Sequence, residues 1–209
     1  MTRLPFDLPD PVAERELHAL ATRERLARDT GDWDLLTDLY WPDSTIRVTW
    51  FTGTIAQFVA VSRDQHQRGR GRGMHVIEPV RCLVNADRAL IESRGQILIR
   101  PRLDGVECDV TSWGRFVSTA ERRGGVWRLV TFDTVYGKDR IDPVIPGVNP
   151  ALDERVLNEA RPSYRHLTCL NRSAGYEVPD DLPGDDRPDL VEAFFAALED
   201  WVHAGSRSR

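Results

Sequence analysis

An α+β fold is predicted for this 209-residue chain. Three observations predict it: apolar residues at helical spacing near the N-terminus, a Val/Ile/Thr/Trp-rich middle cut by tight-turn signals, and a change to Pro, Asp and Asn afterwards. The arrangement expected is a cone-shaped, curved antiparallel sheet wrapped by three N-terminal helices, followed by a helical C-terminal extension. The cone is assigned residues 11–137, and the extension residues 138–209, with two helices packing on the cone or on a neighbouring subunit.

From Pro11 to about Arg28, the apolar residues Val12, Leu17, Leu20, Ala21 and Ala27 recur between charges expected to face water. Pro11 suits a helix start, and Thr30-Gly31 suits its end. Asp32 can cap a second helix over Trp33–Trp41. Pro42-Asp43-Ser44 signals a turn, Thr45–Trp50 a short strand, and Ile55–Gln67 a third helix. Three hairpin signals follow: Asn85-Ala86-Asp87, Leu103-Asp104-Gly105 and Arg123-Gly124-Gly125. They divide the middle into strands near 75–84, 89–101, 107–120 and 126–136. Beyond Lys138, helices are expected at about 151–172 and 188–203. The latter carries Leu190, Val191, Phe194, Phe195, Leu198 and Trp201 on an apolar face that needs a partner.

Composition excludes several classes of function. The net charge of −5 gives no basic surface for nucleic acid. No run of about 18 apolar residues is available to span a bilayer, and the N-terminus lacks a signal-peptide core, so a cytoplasmic setting is expected. Cys82, Cys108 and Cys169 are odd in number and lack ligand spacing, which argues against a disulfide framework or zinc ribbon. The only lysine, Lys138, lies in no Gly-rich phosphate loop. The Arg-Gly tract at residues 68–73 is short and has no flanking aromatics, so it reads as a flexible loop at a pocket rim. The acidic run at residues 180–186 lacks alternating calcium-ligand spacing and reads as a solvated turn.

Of the five histidines, His18, His66, His166 and His203 fall on charged helical stretches and read as solvated. His75 opens the first long strand, where alternation places it either inside the cone or outside. Asp29 sits where the first two helices meet; it reads either as an Asx-turn or, since Asp32 is the better cap, as a partner for His75. A carboxylate accepting from one imidazole nitrogen fixes the tautomer and raises the basicity of the other, which can then take a proton from carbon. No metal or organic cofactor is needed if that proton is already acidified.

The segment Arg28-Asp29-Thr30-Gly31-Asp32-Trp33-Asp34-Leu35-Leu36 resembles the opening of scytalone dehydratase and of the SnoaL-like group in the nuclear transport factor 2 superfamily. Ala56–Val59, Gly73–Val76 and Arg123–Arg128 resemble, in order, that family's third helix, its catalytic-histidine strand and its last hairpin. The same points are similar in the lindane dehydrochlorinase. The resemblance spans about residues 12–137 and implies a cystatin-like cone, often trimeric or dimeric, with Asp29 and His75 catalytic and the histidine acting as base. The chain departs from scytalone dehydratase in having no histidine between His75 and His166. It also carries Gly114, Phe116 and Trp50 where that enzyme has polar groups.

The function expected is a cofactor-independent lyase, a dehydratase or related eliminating enzyme, acting on a small hydrophobic and cyclic molecule. A cyclase or isomerase using the same pair, and a non-catalytic binding module, are the alternatives. Tyr40, Trp50, Arg94, Trp113, Arg115, Phe132 and Tyr136 are the candidate substrate contacts; the two arginines would bind an anion, and Tyr136 would act as a general acid. Nucleic acid and membrane are not expected partners, whereas a homo-oligomer is.

Overall fold

The computed structural model describes residues 10–69 and 73–205. Helix α1 (Pro11–Thr30) begins where the Asp10 carboxylate accepts the Val12 N–H at 3.1 Å. It ends at Gly31, whose φ of +74° turns the chain into left-handed space so that the Asp32 N–H reaches the Ala27 carbonyl at 2.9 Å. Asp32 caps α2 (Trp33–Asp38) by accepting the Leu35 N–H. That helix stops short of the expected Trp41, because Tyr40 enters β1 (Tyr40–Val48) and pairs in parallel with the last long strand. Strand β2 (Phe51–Thr54) folds back on β1 and leads into α3 (Ile55–Gln67), which starts with a Thr54/Gln57 capping box.

The meander follows as β3 (Gly73–Asn85), β4 (Arg88–Ile99), a two-residue β5 (Arg102–Leu103), β6 (Val106–Arg123) and β7 (Val126–Pro143). The sheet order is β2-β1-β7-β6-β4-β3, and every pairing except β1 with β7 is antiparallel. The boundary expected at residue 137 falls inside β7. Residues 70–72 of the Arg-Gly tract, and the N-terminal segment before Asp10, lie outside the described residues.

Strand parity sets the two layers. Phe116, Ala120 and Phe132 turn to the concave face and join Leu17, Leu20, Ala21, Phe58 and Val59 in the main core. Val117 and Val135 turn to the convex face, where α6 (Pro188–Ala204) lies across them. Val202 of α6 is fully buried, while Phe194, Phe195, Leu198 and Trp201 are half-buried against the sheet, so the apolar face of this helix packs on its own cone.

The helix expected over 151–172 is broken into α4 (Glu154–Glu159), a 3-10 turn at Pro162–Tyr164, and α5 (Arg165–Ser173). Pro162 lacks an N–H and forces the residue before it out of helical space; Arg161 accordingly has ψ 133°. The acidic run is also not a solvated turn: Leu182, Pro183 and Gly184 are buried, and Tyr136 exchanges backbone hydrogen bonds with Pro183 and Asp185. Asp186 takes the Arg161 guanidinium, with Nε at 3.0 Å, and the Ser163 hydroxyl. No helix among the described residues is long and apolar enough to cross a membrane, and all three cysteines are free.

The charges of α1 are not all in water. Glu24 and Arg25 are 1% and 4% exposed, and Arg25 donates through Nε and Nη2 to both oxygens of Glu24. The Tyr40 hydroxyl also donates to Glu24, at 2.9 Å, and burial raises its pKa well above that of a free phenol. The Arg25 guanidinium lies 3.9 Å from the Phe132 ring centroid. Replacing one member of such a pair strands its partner, because the low-dielectric interior offers no substitute. Glu24→Gln is therefore expected to cost about 3–5 kcal/mol, read from the denaturant midpoint. A loss below about 1 kcal/mol would mean that the pair is dispensable.

Candidate functional site

The site is assembled where α1 ends and β3 begins. Asp29, in the last turn of α1, uses both carboxylate oxygens on one residue. Oδ2 accepts the His75 backbone N–H at 2.7 Å, and Oδ1 lies 2.5 Å from His75 Nδ1. An ionised carboxylate can only accept, so Nδ1 carries the proton and Nε2 keeps its lone pair. The two side chains are 16% and 14% exposed. His75 lines a cavity of about 690 Å³ between the helices and the concave face.

The imidazole has a lowered pKa. Burial is the largest cause; the Asp29 hydrogen bond opposes it, and the Arg25 and Arg28 guanidiniums reinforce it. The ring is therefore neutral at pH 7 and competent to accept a proton. Its edge meets Phe116 at a centroid separation of 5.8 Å. The position of Phe116 depends on Gly95 of β4: a Cβ there would lie 2.5 Å from the Phe116 ring.

Of the expected substrate contacts, Trp50, Phe132 and Tyr136 line the cavity together with His75. Tyr136 is 1% exposed, its oxygen accepts the Thr49 N–H at 3.0 Å, and burial pushes its pKa up to about 12. It therefore stays a phenol at neutral pH. The structure places the other four elsewhere. Tyr40 faces Glu24 in the core. Arg94 is exposed beside Glu78. Arg115 donates to Glu92 at 2.9 Å and stacks 5.1 Å from the Phe195 ring. Trp113 stacks with Lys138. A single cause explains three of these four: Arg94 pairs in register with Arg115 on the convex side, Trp113 shares that parity, and Gly95 and Phe116 take the inward positions.

Sequence reasoning missed the residues that replace them. Arg25 and Arg28 line the cavity from α1, and Phe58 lines it from α3. The signal for Arg28 was available: positions 17, 20, 21, 24 and 28 form one helical stripe, and it is the apolar one. The cavity roof comes from the extension, through Leu167, Leu170 and Asn171 of α5 and through Tyr176 beyond it.

His166 anchors this roof and is not a solvated residue. The Asp139 carboxylate meets His166 Nδ1 at 2.8 Å and accepts the Leu167 N–H at 2.7 Å, tying α5 to β7. Gln65 of α3 donates to the Tyr176 hydroxyl at 2.7 Å from the opposite side. Asp133 has its pKa raised to about 7 by burial. It lies between Phe132 and Thr134, which both line the cavity, so alternation turns it to the convex face.

Comparison with known proteins agrees with this architecture. A family model described as a SnoaL-like domain matches residues 12–133. "Pea pathogenicity protein 2" of Fusarium vanettenii is 31% identical over 186 residues, covering 86% of this chain and 79% of that protein. Among solved structures, LinA superposes with a TM-score of 0.54 at 16% identity, covering 67% of this chain and 94% of its own. The hexachlorocyclohexane dehydrochlorinase LinA-type3 of Novosphingobium barchaimii gives 0.51 at the same identity and coverage. The helices, the curved unclosed sheet and the sequence match lead to one assignment: the chain belongs to the SnoaL-like family, of cystatin-like, nuclear transport factor 2-like fold.

Proposed function

We propose that this protein is a cofactor-independent lyase that removes a proton and a β-leaving group from a small hydrophobic, cyclic molecule. The observation that carries the reading is the Asp29–His75 pair in the wall of the cavity, with Nδ1 held by carboxylate and Nε2 without a protein partner among the described residues. LinA-type3, a protein of similar fold, is a dehydrochlorinase, and its eliminating chemistry suits the same reading.

In the reaction, His75 Nε2 takes a proton from carbon. The C–H electron pair forms a C=C bond, and the bond to the leaving group breaks on the neighbouring carbon. A halide leaves with the electron pair of the bond that breaks; a hydroxide also takes a proton, which the Tyr136 phenol in the same cavity wall would supply. Asp29 stabilises the imidazolium that forms and keeps the ring oriented. An isomerase or cyclase would use the same proton acceptor and differ in where the electron pair goes. A leaving group in the products separates elimination from these.

On any cyclic β-hydroxy or β-halo compound that the protein turns over, His75→Ala and Asp29→Asn are each expected to lower kcat/KM by about 10²–10⁴-fold. Both variants retaining wild-type turnover would eliminate the acid/base assignment. The pH profile tests the same residue independently. Activity requires neutral His75, whose pKa is below its ordinary 6.5, so kcat/KM should be flat through pH 7 and fall only at an inflection below 6.5. An acid limb centred above pH 7 would assign the base to another group.

A further inference from the structure

The charges around the cavity do not balance through contacts. Arg25 is answered by Glu24, and Asp29 is engaged by His75. Arg28 is 8% exposed and lines the cavity, yet it has no hydrogen bond or ion pair among the described residues. Its guanidinium sits among the rings of Trp33, Trp50 and Phe58, at 5.8, 6.0 and 5.8 Å from their centroids. Such cation–π contacts recover about 0.5–2 kcal/mol, against several kcal/mol for taking a cation out of water. Burial, helped by Arg25, lowers its pKa to about 10, so it remains charged at neutral pH. In the roof, Asn171 is 9% exposed, and its Nδ2 is a buried donor without a partner. Both unsatisfied groups are donors, and both line the one cavity.

We infer that the substrate is a monoanion, a small hydrophobic ring bearing a carboxylate, and that Arg28 is the group that binds that carboxylate. A guanidinium presents a flat fork that matches the two oxygens of a carboxylate. What Arg28 lacks is a hydrogen-bonded acceptor, and a single planar carboxylate supplies one without adding the second charge of a phosphate dianion. The carboxylate lies away from the reacting carbon and serves as an anchor, so its binding energy orients the substrate C–H toward His75. The Asn171 amide supplies a neutral donor to an oxygen on the roof side.

This inference rests on the reading of the cavity as a substrate site, but binding tests it without turnover. Benzoate and cyclohexanecarboxylate, each compared with its amide, are titrated into the full-length protein by calorimetry at pH 7. The carboxylates should bind about 10–100-fold more tightly than the amides. Arg28→Met should remove that preference, while Arg28→Lys should keep part of it. His75→Ala should retain the preference although it is expected to lower turnover, so failure of the base assignment and failure of the anchor are told apart. The unliganded Arg28→Met protein should melt no lower than the wild type, because a buried cation without a partner contributes nothing to folding.

Equal affinity for acid and amide, a preference that survives Arg28→Met, or no measurable carboxylate binding would each overturn the inference. So would a fall of more than about 5 °C in the melting temperature of Arg28→Met, which would make Arg28 a structural residue held by its aromatic neighbours.

Discussion

The clamp that Asp29 places on His75 is the contact on which the rest of the site depends. One carboxylate holds both the backbone N–H and the ring nitrogen of the same residue, fixing the start of β3 and the tautomer of the imidazole together. The end of α1 is thereby pinned to β3, an edge strand that pairs on one side only. Gly31 makes this possible. By turning the chain sharply at the helix end, it leaves Asp29 in the last turn and hands the capping of α2 to Asp32.

The clamp alone would make His75 more basic, and burial, reinforced by the neighbouring guanidiniums, reverses that. Glu24, Arg25, Arg28 and Asp29 sum to zero formal charge, so a neutral imidazole keeps the buried group of five neutral and a protonated one does not. The two guanidiniums therefore work against the carboxylate, and burial decides the direction of the shift. Orientation and basicity thus have different main causes: Asp29 supplies the geometry, while burial, reinforced by Arg25 and Arg28, lowers the pKa of the ring.

Much of the frame was legible because local rules and burial agree there. Helix α3 runs over the predicted Ile55–Gln67, and the hairpins at residues 85–87, 103–105 and 123–125 join the strands that flank them. The pairing of Asp29 with His75 was reached through chemistry and resemblance, since neither residue is distinctive in its own segment. What failed was parity and charge. Arg94, Trp113 and Arg115 alternate correctly along their strands, but no sequence rule says which face of a strand is concave. Glu24, Arg25 and Arg28 were assigned to water because charged residues rarely pack in cores. They satisfy the helical period of the apolar face and are buried beside one another. Pro162 was a plain breaker inside an otherwise helical stretch.

The extension changes what the cone can be. The match to the SnoaL-like domain covers residues 12–133, yet Leu167, Leu170, Asn171 and Tyr176 close the cavity from beyond that range. Asp139 fastens α5 to β7 just past the matched segment, and α6 covers the convex face that β4, β6 and β7 would otherwise expose. The proposed proton acceptor thus lies within the matched segment, whereas the roof over the cavity comes from the extension that follows it. The two parts also communicate through charge: an anion seated on Arg28 would cancel one of the fields that lower the His75 pKa, so the base would strengthen when the cavity fills.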